Sequence, residues 1–239
     1  MDVTALPCRP TIACTADFVP PGALEIELGA LGRRLPSGLQ RSFPVLFKLT
    51  AARWLQLQVA TNGYTVQRGS VTTQYLDNVS VGGKLHLLDQ GAAVPSVSLS
   101  AALSVPTFTG QTGYARADDA FFTAYVTKDL GPLHADFNTG LNEWSLQSSP
   151  RDQPFVTLAL SVPLTEPLVI MAEGYLFADA GPLAPRDGGF LFALSHAPEP
   201  WLVFDFGGDV GAFPSSRAWS VFLGMTVVPA VLWGVPSGS

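Results

Sequence analysis

The chain has 239 residues, enough for one large domain, and no shift in composition along it asks for two. Hydrophobic residues make up 47% of it and charged residues only 13%, roughly half the ~25% charge of an ordinary soluble domain, so the chain carries too little charge to coat a water-facing surface and needs a second apolar surface that faces lipid. A net charge of −6 and a pI near 4.9 argue against a nucleic-acid partner, which wants a basic face.

The first 22 residues are polar and contain prolines, and they read as a segment apart, either a plug for a lumen or a periplasmic extension. Cys8 and Cys14 lie six residues apart with no neighbouring histidine, a poor zinc set, and they read as a candidate disulfide of an oxidising compartment or as two free thiols. Met1-Asp2-Val3 carries no basic and apolar leader, and an exported protein needs one, so the expectation is that a signal peptide has been removed.

From Ala23 onward the pattern has period two. Leu24, Ile26 and Leu28 alternate with Glu25, Glu27 and Gly29, and Leu55, Leu57 and Val59 with Gln56, Gln58 and Ala60. Val79, Val81, Leu85 and Leu87 share one face, against Asn78, Ser80, Lys84 and His86 on the other. Val97, Leu99 and Leu103 oppose Ser96, Ser98 and Ser104. Leu133, Phe137 and Leu141 oppose His134, Asp136, Asn138 and Asn142, and Leu202, Phe204 and Phe206 oppose Asp205 and Asp209. A helical period would scatter these polar residues around the axis, so strands are expected.

Twelve strands result, over 23–34, 42–50, 54–63, 76–88, 94–105, 120–129, 132–143, 154–163, 167–178, 188–196, 201–211 and 218–228, lengths that suit tilted spanning strands of about 9–11 residues. A spanning helix, which needs roughly 20 apolar residues, is not expected: the best run, Ala218 to Val235, is broken by Gly224, Pro229 and Gly234 and reads as a strand plus a tail over 229–239. Connections after even strands are short (51–53, 89–93, 130–131, 164–166, 197–200). Those after odd strands are mostly longer (36–40, 62–73, 106–119, 144–153, 179–187). Alternating short turns and long loops is the habit of outer-membrane barrels, with turns periplasmic and loops extracellular. In lipid no backbone group can go unpaired, so the sheet must close. The expected fold is therefore all-β: one transmembrane, antiparallel, up-and-down barrel of about twelve strands over 23–228, in the outer membrane of a Gram-negative bacterium. Trp54, Trp201 and Trp219 fall near strand ends, where interfacial aromatic belts sit.

Several segments resemble a known family. Thr15-Ala16-Asp17-Phe18-Val19-Pro20-Pro21-Gly22 leading into Leu24-Glu25-Ile26-Glu27 looks like the entry to its first strand. Asp77-Asn78-Val79-Ser80-Val81-Gly82-Gly83-Lys84 looks like its D-x-x-x-G-x-K strand. Ser100 to Thr107, Lys128-Asp129-Leu130-Gly131-Pro132 and Phe204-Asp205-Phe206-Gly207-Gly208 follow in the same order. Over 15–228 the chain thus resembles the bacterial outer-membrane family named for transport in the meta-pathway of phenol degradation. The resemblance implies a porin-like barrel that passes small hydrophobic or aromatic compounds. The run-on from Pro229 to Ser239, with Trp233 as its last aromatic, departs from barrels that finish on an aromatic in the final strand.

No residue pattern points to an enzyme, a metal or a cofactor. His86, His134 and His196 would have to converge with a carboxylate to hold zinc. Ser195 and His196 are strand neighbours that point to opposite faces, and there is no Gly-x-Ser-x-Gly. What the pattern does place together is an inward polar set: Glu25, Glu27, Gln56, Gln58, Lys84, His86, His134, Asp136, Glu173, Asp205 and Asp209, with Asp179 beyond them. These either pair across a filled interior or hydrate a pathway with an acidic bias. The expected role is a channel or transporter for a small solute, with membrane lipid as its surroundings. The rivals are a non-transporting anchor or adhesin barrel and a soluble lipocalin-like binder, in which the apolar face would point inward.

Overall fold

The computed structural model describes residues 3–105, 119–146, 149–181 and 184–234. Among them the chain forms fifteen strands: β1 (Ala23–Leu35), β2 (Gly38–Ser42), β3 (Val45–Ala52), β4 (Leu55–Thr61), β5 (Tyr64–Arg68), β6 (Thr72–Leu76), β7 (Val79–Leu88), β8 (Ser96–Val105), β9 (Ala120–Leu130), β10 (Leu133–Leu146), β11 (Ser149–Thr165), β12 (Leu168–Phe177), β13 (Asp187–Glu199), β14 (Leu202–Gly211) and β15 (Trp219–Val231). Every pairing is antiparallel, and β15 returns to β1, so twelve of them (β1, β3, β4 and β7 to β15) close into a barrel.

The other three strands correct the expected loops. β2, β5 and β6 continue β3, β4 and β7 beyond one end of the barrel, and pair in the order β1–β2–β5–β6. Each join is a local break. Pro44, which has no N–H to give to a ladder, separates β2 from β3, Gly63 with φ 65° separates β4 from β5, and Asp77-Asn78 separates β6 from β7. Residues 36–40 and most of 62–73 are therefore a tight turn and a hairpin rather than loops. Likewise most of the stretch expected as a loop over 144–153 is ladder, Leu146 pairing with Ser149. The last strand runs three residues past the expected end, to Val231. The loop expected over 106–119 lies, apart from Asp119, outside the described residues, as does the tail beyond Gly234.

The alternation does what lipid requires. Large apolar side chains such as Leu57, Val81, Leu99, Phe122, Phe192 and Phe206 are exposed on the outer surface, while Glu25, Glu27, Lys48, Gln56 and Lys84 are buried. A soluble binder would show the opposite arrangement, so the lipocalin-like reading is overturned. Trp54 and Trp219 stand exposed at opposite ends of the barrel. Trp201 does not join them: it packs at the turn end against a small apolar cluster of Val3, Ala5, Val19, Ala23, Val203 and Val228.

Candidate functional site

The interior is crossed by the N-terminal segment. Ala5 N–H donates to Pro200 O in the β13–β14 turn, and Val3, Ala5 and Val19 share the cluster just described, so both limbs of the segment stand at the turn end of the barrel. Between them the chain runs into the barrel and back, and Cys8 and Cys14 are joined by a disulfide. An extended segment with no strand beside it has backbone donors that need partners. The wall supplies them, through the inward polar residues of its strands.

Glu27 on β1 accepts Cys8 N–H at 2.9 Å and Arg9 N–H at 3.1 Å. Glu173 on β12 accepts Ile12 N–H and Ala13 N–H, both at 2.7 Å. Asn138 on β10 binds Cys14 both ways, accepting its N–H at 2.7 Å and donating to its carbonyl at 2.9 Å. Thr127 on β9 accepts Ala16 N–H at 2.7 Å and donates to Asp136 at 2.5 Å. On β8, Ser98 donates to Ala16 O and Ser96 to the Asp17 carboxylate. Lys84 on β7 donates to Thr15 O, with its ammonium 4.1 Å from the Tyr125 ring centroid and 5.4 Å from that of Phe18, a cation over two π faces.

Two ion clusters complete the crossing. Lys48 on β3 lies 3.1 Å from Glu25 and 2.6 Å from Glu27, all three side chains no more than 3% exposed, and donates to Leu6 O at 2.8 Å. Arg9 reaches Asp205 on β14 at 3.1 Å and also donates to Leu223 O. Its guanidinium lies over Gly29 and Gly224, which face each other across β1 and β15. A Cβ built on Gly29 would stand 2.4 Å from Arg9 Nη1, and one on Gly224 2.3 Å from Arg9 Nε. The paired glycines are the slot that lets the arginine lie flat on the wall.

Nearer the loop end, Asp209 accepts from Ser220 and from the Tyr175 hydroxyl at 3.3 Å. Arg217 lies 2.9 Å from Asp187 and 3.5 Å from Asp209. At the turn end, His134 bridges Asp129 at 2.6 Å and Asp136 at 3.2 Å, and His86 meets Asp89, Ser98 and Ala16 O. His196 is exposed on the outer face, apart from both. Gln58 donates to Gln56 along the wall. Asp179 does not face the interior: it is exposed in the β12–β13 connection, where it accepts Gly181 N–H and Arg186 N–H.

Sequence reasoning passed over Lys48, Thr127, Arg9, Arg217 and Tyr175. Lys48 was open to discovery, because it alternates with the exposed Phe47 exactly as the selected residues alternate with their neighbours. Arg9 and Arg217 lie outside any strand, and no periodicity marks them.

No family model matches the chain, and no curated protein does; the likeness is to solved structures. An outer-membrane channel from Pseudomonas putida F1 aligns with a TM-score of 0.65 at 11% identity, over 89% of this chain and 97% of that one. The KdgM porin aligns at 0.54 and 10% identity, over 85% and 98%. The translocator domain of the autotransporter NalP from Neisseria meningitidis aligns at 0.51 and 9% identity, over 86% and 87%. The fold is that of an outer-membrane β-barrel. These identities carry the fold alone, and the neighbours that share it are a channel, a porin and a translocator.

Proposed function

We propose that the protein is an outer-membrane channel for small solutes, with its turns in the periplasm and its N-terminal segment acting as the gate. The observation that carries this reading is the chemistry of the crossing. Within the barrel the segment is held by hydrogen bonds and ion pairs with the wall, and its apolar packing is concentrated where it enters, around Val3, Ala5 and Val19. Polar contacts can be exchanged for water as a segment shifts, and the wall left behind would be a hydrated, net acidic path through Glu25, Glu27, Asp136, Glu173, Asp205 and Asp209, which favours cations and neutral solutes over anions. The likeness to a channel and a porin supports a conducting role. The resemblance to the phenol meta-pathway family supports small hydrophobic or aromatic compounds as the cargo.

The same contacts favour a second reading. A segment bound to β1, β3, β7, β8, β9, β10, β12 and β14 is also what a rigid anchor barrel would contain. Planar-bilayer conductance separates the two readings, using the whole chain and a variant lacking residues 3–17. The channel reading expects small, infrequent openings from the whole chain and a several-fold larger, steady conductance from the variant. A deletion variant that still shows the heat-modifiable gel shift of a folded barrel, yet conducts no more than the whole chain, overturns it.

A further inference from the structure

One patch of the outer surface does not fit a barrel that only faces hydrocarbon. The register across β15, β1, β2 and β5 sets Trp219, Arg34, Leu39 and Arg68 in one row, and Val221, Gly32, Arg41 and Val66 in the next. Arg34, Arg41 and Arg68 are all exposed on this face. Among the described residues none of the three has a carboxylate within 4 Å or a side-chain hydrogen bond. Arg9 and Arg217, by contrast, are both paired. Three unpaired cations on one face are a concentration in a chain with 13 basic residues and a net charge of −6. The opposite end offers no such cluster: among the described residues Arg53 is its one exposed cation, and the half-buried Lys128 is occupied by the carbonyls of Gly91, Ala92 and Val94.

Directly beside the arginines lies a groove of about 240 Å³, between Ala30, Gly32 and Phe43 on one side and Phe206, Val221 and Leu223 on the other, with Arg41 at its edge. It exists because β1 presents only a methyl group and a hydrogen there, while Phe206 and Leu223 stand about 60% exposed on the neighbouring strands. The space over Gly32 is open: an added Cβ would have only Val221 Cγ2 within 4 Å, at 3.9 Å. An arginine is costly among acyl chains and stable at the headgroup level, and Trp219 in the same row marks that level.

From this juxtaposition we infer that the outward face of β1, β2 and β5 is a binding site for one phosphorylated glycolipid of the outer leaflet. Its sugar phosphates lie against Arg34, Arg41 and Arg68, and one acyl chain lies in the Gly32 groove. Guanidinium forks match phosphate oxygens in geometry as well as charge, and the groove gives the same molecule an apolar contact within reach. The site rests on the placement proposed above, with β2, β5 and β6 on the extracellular side, and it is independent of whether the barrel conducts.

The test uses the whole chain folded in neutral detergent and native mass spectrometry, titrated with bis-phosphorylated diglucosamine lipid A and with the same lipid stripped of its phosphates. The wild-type protein should retain one lipid A, with the dephosphorylated lipid at least tenfold weaker. R34Q/R41Q/R68Q should lose at least tenfold for lipid A, and G32F should weaken binding while leaving all three arginines in place. Each variant is checked for the heat-modifiable gel shift, and the dephosphorylated arm needs no variant at all. Equal binding of the two lipids, or undiminished binding by the triple variant, overturns the site. So does a lipid-free dimer that the triple variant abolishes, which would assign the face to a second copy of this chain. Failure of the conductance experiment would leave the lipid result standing. A wild-type chain that shows no heat-modifiable shift would instead remove the outer-membrane placement beneath both proposals.

Discussion

Replacing Lys48 with methionine tests the interior most directly. Its ammonium lies 2.6 and 3.1 Å from two carboxylates, and none of the three side chains is more than 3% exposed. At an effective dielectric of about 20, each contact supplies roughly 5–6 kcal/mol of Coulomb attraction. Most of that is offset by the cost of taking three charges out of water. Removing one partner does not refund that cost to the two left behind: a buried pair broken in this way loses about 3–5 kcal/mol. The loss here is compounded by Leu6 O, which would give up its donor. Urea titration of the barrel in lipid vesicles, followed by tryptophan fluorescence and by the gel shift, should therefore show K48M destabilised by about 3–5 kcal/mol. K48M/E25Q/E27Q, in which no charge is left unpaired, should recover part of the loss, because a neutralised site no longer holds an uncompensated ion, while an amide at position 27 can accept only one of the Cys8 and Arg9 N–H groups. A K48M variant within about 1 kcal/mol of wild type, well below the range for a broken buried pair, would refute the buried triad. A triple variant no better than K48M would show that packing and the amide bonds of Cys8 and Arg9, rather than charge, set the cost.

Two further outcomes follow from the geometry. G29A should fold, since the atoms its methyl would meet belong to the flexible end of Arg9, but it should displace that arginine from Asp205 and raise the frequency of openings to the level of R9Q; openings unchanged from wild type would remove the glycine slot from the gate. L99K places a charge on the outer face in the middle of β8 and should cost about 2–4 kcal/mol in vesicles; a loss below about 1 kcal/mol would contradict the lipid-facing assignment of that strand.

The amino-acid sequence by itself determined the inside-out barrel. Alternation such as Leu24-Glu25-Ile26-Glu27 is a local, covalent property: a strand sends successive side chains to opposite faces whatever it pairs with. Sparse charge says which face meets lipid, and short turns alternating with longer connections set the strand count and its antiparallel order. The extension of β2, β5 and β6 was within reach of the same reasoning. Val66 and Tyr75 lie in alternating runs, but the expected strands 42–50 and 54–63 start or stop beside Pro44 and Gly63 with loops beyond them, and only the pairing of β2 with β5 shows that these breaks are kinks in continuing strands.

The site divides in the same way. Glu27, Glu173, Asp205 and Lys84 stand out because a charge on an otherwise apolar strand is costly and so is visible. What each of them binds was decided by tertiary structure alone. Arg9 meets Asp205 across 196 residues, and Cys14 meets Asn138 across 124. The partners belong to a segment with no periodicity of its own, whose path is set by where the wall offers acceptors for its amides. Residues whose role is to be missing, such as Gly29 and Gly224 beneath Arg9 or Gly32 beside Arg41, acquire meaning only when the strands on either side are brought together, because an absent side chain leaves no pattern in the sequence until something else occupies its space.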